Sequence, residues 1–176
     1  MPGCLCVGMA EQALDHRAVV ARLGREERTV LLCRSDRLGA TQLATHIGAL
    51  AVTSLPIALG ASFWPLWLLP QGILIVFLFT ALHECSHRTA FRSERLNRIV
   101  AAACGFLVLA PPEWFRCFHA AHHRFTHDAE RDPELATPEP GSWPAYLWRL
   151  SGVPLWHGSL RTLLVNAAGR RRDAYV

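Results

Sequence analysis

The longest apolar run of this chain predicts its largest elements. Residues 38 to 83 contain no Asp, Glu, Lys or Arg. A helix needs roughly 20 residues to cross a bilayer, so the run is long enough for two crossings. It is interrupted once, at "GASFWP" (residues 60–65), where Gly60, Ser62 and Pro65 break the helical pattern and Phe63 and Trp64 suit a membrane interface. The pattern predicts a helical hairpin with arms over residues 38–59 and 64–82. Buried helices of a soluble core would usually carry a charged stripe, and these arms have none.

Shorter amphipathic stretches flank the hairpin. Residues 11–35 alternate charged and apolar positions at helical spacing, which predicts a helix along the membrane surface within a cytosolic N-terminal segment, 1–37. Residues 99–110 are apolar and stop at Pro111 and Pro112. As a helix they rise about 18 Å, too little to cross, so they should dip into the interface and return. In residues 128–142, "DAERDPELATPEPGS", Asp128, Asp132 and Glu134 could hold histidine rings by hydrogen bonds, but the proline content favours a solvated acidic loop. Residues 146–164 are apolar apart from Arg149, His157 and Arg161 and polar Ser, Thr and Gly, and predict an interfacial helix. The predicted class is all-α, an integral membrane hairpin with interfacial and amphipathic helices.

Charge orients the hairpin. All 18 basic residues are Arg. Arg17, Arg22, Arg25, Arg28, Arg34 and Arg37 precede it and Arg88, Arg92, Arg95 and Arg98 follow it, while its turn is uncharged. The positive-inside rule puts both flanks in the cytoplasm and the turn outside. The N-terminus shows no basic stretch leading into an apolar one, so no cleaved signal peptide is expected. A net charge of +4 raises nucleic acid as a partner. The acidic residues are interspersed and no basic patch alternates with stacking aromatics, so nucleic acid is not expected. The six cysteines form no C-x-x-C pair and should be reduced, structural thiols.

Histidine carries the chemistry. The second arm runs into "HECSH", where His83 and His87 lie one turn apart on one helical face. The second cluster is "FHAAHHRFTHD", residues 118–128, in which His119, His122 and His123 again share a face. Because residues 99–110 should return to the side they left, both clusters belong on the cytoplasmic membrane face. "HECSH" also spells H-E-x-x-H, a zinc peptidase pattern with Glu84 as base. Five histidines oversupply one tetrahedral zinc, however, and suit two metal ions with room for a small ligand such as O2. Glu84 lies four residues before Arg88 and is expected to pair with it. His127 extends the second face by one turn, as a ligand, a second-shell donor or a surface residue. His46, roughly 13 Å into the first arm, is expected to be neutral and hydrogen-bonded. His16 and His157 are left outside the site.

"HECSH" followed by "HAAHH", behind an apolar hairpin and ahead of "RDPEL", resembles the first two histidine boxes of the membrane fatty acid desaturase family. The resemblance covers roughly residues 38–164. It implies that His83, His87, His119, His122 and His123 bind two iron ions. It implies O2 as co-substrate, an acyl lipid as substrate, and two electrons from a donor such as ferredoxin or cytochrome b5. No residue is singled out as catalytic beyond these ligands. Hydroxylases and ketolases of the same superfamily remain open, as do an intramembrane zinc peptidase and a non-catalytic remnant. The family's third histidine box and second hairpin have no counterpart here. The expectation is therefore a partial desaturase domain over 38–176, lacking a C-terminal half and inactive alone.

Overall fold

The computed structural model describes residues 20–170 and Asp173. Among the described residues the chain is helical throughout, with no strand. The described residues up to 33 belong to one compact unit and those from 34 onward to a second. In the first, residues 20–22 are helical and α1 spans Arg25–Leu31. The Glu27 carboxylate caps α1 by accepting the Gly24 N–H at 2.7 Å. The surface helix expected over 11–35 is thus broken at residues 23–24, and its first part lies outside the described residues.

In the second unit, α2 (Asp36–Ala58) and α3 (Trp64–Ser86) form the hairpin. Ser35 caps α2 by accepting the Leu38 N–H, and Gly60 ends it with φ +58°, a conformation cheap only for glycine. Pro65 then opens α3, where its missing N–H costs nothing. Among the described residues, α3 alone qualifies as a membrane span by length and composition; a second candidate arises there only if two later helices count as one bent span. Leu66, Leu69, Val76 and Phe77 of α3 are exposed, as lipid-facing residues would be.

The other arm, α2, is as long but more polar; His46, Thr53 and Ser54 bond α3, while Thr41 and Thr45 bond carbonyls of their own helix. The His46 Nε2–H donates to the Leu74 carbonyl at 2.9 Å, so His46 is bonded as expected. The Thr53 hydroxyl donates to the Gln71 side-chain carbonyl, and Gln71 Nε2 donates to Ser54 Oγ at 2.9 Å. Unsatisfied, such groups would each cost several kcal/mol in hydrocarbon.

Helix α3 ends in a Schellman turn. The Thr89 N–H bonds the Glu84 carbonyl and the Arg88 N–H bonds that of Cys85. Arg88 takes the left-handed position, φ +60°. The chain then reverses into α4 (Glu94–Leu107) through a turn clamped by Asn97, which is only 1% exposed. Its amide accepts the Phe91 N–H at 3.2 Å and donates to the carbonyls of Phe91 and Ser93 at 2.9 and 3.1 Å. Asp36 reaches across to accept the Ser93 N–H at 2.8 Å, tying the start of α2 to the start of α4. Gly39 lets α2 approach this turn, because a Cβ there would strike the Ala90 carbonyl and the Phe91 ring.

After α4 the chain bends by 98° into α5 (Pro112–Phe125). The core lies where the C-terminal half of α3 meets these two helices: Leu78, Leu82, Cys85, Phe91, Val100, Ala101, Cys104 and Phe115. Burying one such large side chain contributes about 1.5–3 kcal/mol. A 3-10 turn (Pro133–Ala136) follows, then α6 (Trp143–Leu150) and α7 (Val153–Ala167). The single interfacial helix expected over 146–164 is therefore two, parted by Gly152 at φ +74°. Ser151 and Gly152 stop the helix locally, although the apolar pattern continues through them. Cys33, Cys85, Cys104 and Cys117 are free thiols, as expected; Cys4 and Cys6 lie outside the described residues.

Removing the Asn97 clamp tests this corner. Asn97→Ala strips the hydrogen-bond partners from a buried backbone turn and should cost about 1–3 kcal/mol per group left unsatisfied. Denaturant unfolding in detergent measures the loss; an unchanged midpoint would mean that packing alone holds the turn.

Candidate metal centre

The two histidine clusters meet beside the core. The last turn of α3 carries His83 and its C-cap is His87, and α5 carries His119, His122 and His123. Ligand atoms of His83, His87, His119 and His123 all lie within 4.8 Å of one another. His119 is central and 7% exposed. Its Nε2 is 3.0 Å from that of His87 and 2.9 Å from that of His123. The Phe115 ring lies nearly parallel to the His119 ring, with centroids 5.3 Å apart, and covers one face of it.

Protons alone do not satisfy this crowding. A neutral imidazole has one N–H and one lone pair. His119 Nε2 either donates to one neighbour and faces the lone pair of the other, or accepts with a single lone pair. Its Nδ1 is buried without a hydrogen-bond partner. A cation among the Nε2 atoms removes the conflict. Two nitrogens bound at about 2.1 Å and at right angles around one ion stand about 3 Å apart, which is the spacing found here. Imidazole donors suit iron, zinc, copper and nickel alike, so these residues fit a metal ion.

Carboxylates hold two of the rings. Glu84 Oε1 accepts from His83 Nδ1 at 3.1 Å, and Glu84 Oε2 accepts the Thr89 hydroxyl at 2.9 Å. The expected pair of Glu84 with Arg88 does not form. Arg88, turned away by its left-handed backbone, pairs instead with Glu94 at 3.2 Å. His122 stands apart from the four converged histidines, its Nδ1 2.9 Å from Asp132 Oδ1. Asp132 is 4% exposed, which corrects its reading as part of a solvated loop. Burial works to raise its pKa, but bonds from His122 and from the Glu134 and His127 N–H groups outweigh this and hold it below the usual carboxylate range. Asp132 thus takes the other of its two sequence readings, as a partner of an imidazole, and "DP", an N-capping Asp with Pro at the first position of the 3-10 turn, is its local mark.

The remaining histidines lie elsewhere. His127 caps the end of α5 at φ +66°, and its backbone N–H, not its ring, bonds Asp132. His46 belongs to the hairpin, His157 to α7, and His16 lies outside the described residues.

Burial, and then the imidazoles of His83, His123, His87 and His122, push the His119 pKa down to about 4. His87 is lowered as well, first by burial. An unfolded histidine titrates near 6.5, so between about pH 6.5 and 4 the unfolded chain binds protons that the folded chain does not. Stability of the metal-free protein should therefore fall as pH drops through this window and level off below it. Thermal melts at pH 7 and pH 5 measure the loss, which should shrink in His119→Gln.

A sequence profile described as fatty acid desaturase matches residues 61–174. An endoplasmic reticulum omega-3 fatty acid desaturase of Vigna radiata var. radiata is 34% identical over 70 residues, 40% of this chain and 18% of that protein. An endoplasmic reticulum omega-6 fatty acid desaturase (isozyme 1) of Glycine max is 26% identical over 125 residues, 64% of this chain and 32% of that protein. A chloroplastic sn-2 acyl-lipid omega-3 desaturase (ferredoxin) of Arabidopsis thaliana is 32% identical over 69 residues, 39% of this chain and 16% of that protein. The chain thus spans less than a third of the length of these relatives. No solved structure matches it significantly. The profile covers more than half of the chain, including both histidine clusters and the second arm of the hairpin, and the chain belongs to the fatty acid desaturase family.

Proposed function

We propose that these residues form part of the di-iron centre of a membrane desaturase that inserts a double bond into the acyl chain of a lipid. The observation that carries this reading is the convergence of His83, His87, His119 and His123 from two helices onto one point. Two bound irons would supply the redox chemistry that O2 and an unactivated methylene require, which zinc lacks. His122 is the fifth ligand of the proposal, and Glu84 holds the Nδ1 proton of His83. Five imidazoles leave two ions short of ligands, so these residues alone are not expected to turn over lipid.

Cavities suit the substrate and the electron donor. One of about 310 Å³ lies between α2 and α3, lined by Leu38, Leu43, Phe77, Leu78 and Phe91 among others, and reaches Glu84. It suits an acyl chain. Another, of about 290 Å³, is lined by His87, His119, Arg88 and Arg116. Its guanidinium groups, Arg88 paired with Glu94 and Arg116 with Glu113, line the face where an electron carrier of the ferredoxin or cytochrome b5 kind would dock. The Arg residues flanking the hairpin support a cytoplasmic position for this face.

Two measurements test the proposal. The protein purified from iron-supplemented cells should carry iron in preference to zinc by elemental analysis, and His87→Ala or His119→Ala should lose most of it. One tightly held zinc would overturn the di-iron reading in favour of the peptidase pattern. For topology, a cysteine at Ser62 should react only with a reagent applied outside the cell and one at Arg92 only from inside; the reverse would overturn the cytoplasmic assignment.

A further inference from the structure

We propose that Asp132 is a positioning residue that fixes the tautomer of His122, so that His122 binds metal through Nε2 and apart from the four converged histidines. The inference rests on the metal-site reading and adds the nitrogen used, the group that selects it and the division of the ligands.

The hydrogen-bond pattern carries it. Asp132 Oδ1 faces His122 Nδ1 at 2.9 Å and accepts the Glu134 N–H at 3.0 Å, while Oδ2 accepts the His127 N–H at 3.1 Å. Backbone N–H groups only donate, so both oxygens act as acceptors, as an ionised carboxylate does. An acceptor-only partner places the proton of the neutral His122 ring on Nδ1. The lone pair is then on Nε2, the one ring nitrogen left for a ligand.

Capping alone does not account for this arrangement. The cap of the 3-10 turn needs only the bond from the Glu134 N–H. Yet the chain folds back from the end of α5 through His127 in the left-handed conformation, and the Asp132 N–H bonds the Asp128 carbonyl at 2.9 Å. Arg131 is engaged with Asp128 at 2.5 Å, not with Asp132. The buried carboxylate thus has His122 as its cationic or polar side-chain partner. Glu134 Oε2 stands farther from His122, at 3.5 Å, and is half exposed. A carboxylate that takes the second N–H of a ligating imidazole fixes its orientation and raises its basicity. Glu84 does the same for His83, so each histidine box has one such carboxylate. His119 has none; packing against Phe115 orients it instead.

The test separates this inference from the metal-site reading. In the full chain in detergent micelles, with imidazole nitrogens labelled, nitrogen NMR of the metal-free protein at neutral pH should show His122 protonated at Nδ1. Asp132→Ala should move it toward the Nε2–H form, with helix content by circular dichroism unchanged. Asp132→Asn, which keeps the shape but not the charge, guards against loss of the turn and should reduce the Nδ1–H population. In a metal titration with cobalt(II), Asp132→Ala should weaken uptake by about 10- to 100-fold, and Glu134→Gln should leave it unchanged. His122 found as the Nε2–H tautomer in the unmodified chain, or unmoved in both Asp132 variants, would overturn the inference. Failure of the unmodified chain to bind cobalt, with the tautomer result intact, would instead count against the metal-site reading alone.

Discussion

Three imidazole Nε2 atoms held at contact distance around the buried ring of His119 are an unfavourable arrangement for a metal-free chain. His119 bears most of it: burial opposes its protonation, so a proton cannot relieve the crowding at neutral pH. The surrounding structure must therefore hold the rings against their own repulsion. It does so from two directions. The Schellman turn and the Asn97 clamp stop α3 and return the chain under it, so that His87 stays fixed at the helix end. Phe115, buried with Leu82 and Cys85 in the core, backs the ring of His119.

The hairpin faces the opposite difficulty. Its arms are largely apolar, so the polar groups where α2 packs on α3 find their partners across that contact. His46, Thr53, Ser54 and Gln71 do this in two ties along the arms. Such ties set the register of the arms, since a slide along either helix would break both at once. That register places the end of α3 beside the turn from Ala90 to Ser93, where Gly39 allows close approach and Asp36 binds the Ser93 N–H. The position of the histidine cluster thus depends on polar contacts deep within the apolar arms.

Second contacts distinguish histidines that look equivalent in one dimension. His122 and His123 are neighbours on one helix, yet His123 faces His119 while His122 faces a carboxylate ten residues away. His83 is held by the residue next to it. The five histidines are therefore unequal, two braced by a carboxylate and one by an aromatic face. Family membership is compatible with all of this and does not decide it.

Much of the architecture was legible because it depends on local pattern. A charge-free run with one break yields a hairpin through hydrophobicity alone, and i, i+4 histidines share a helical face by helix geometry. The spacing of "HECSH" and "HAAHH" therefore pointed to the cluster and to the family. What the pattern did not contain was set by contacts between distant residues or by backbone conformation at single positions. Gly152 splits one apolar stretch into α6 and α7 because helix continuity depends on backbone angles, not on apolar content. Arg88 turns away from Glu84 because its backbone is left-handed, whereas the i, i+4 rule assumes that the helix continues. Asp132 lies in a polar, proline-rich stretch that composition assigns to solvent, and only the fold-back after α5 buries it against His122. Sequence spacing determined which histidines could meet; the tertiary structure decided what each one meets, because partners and burial arise from the whole fold.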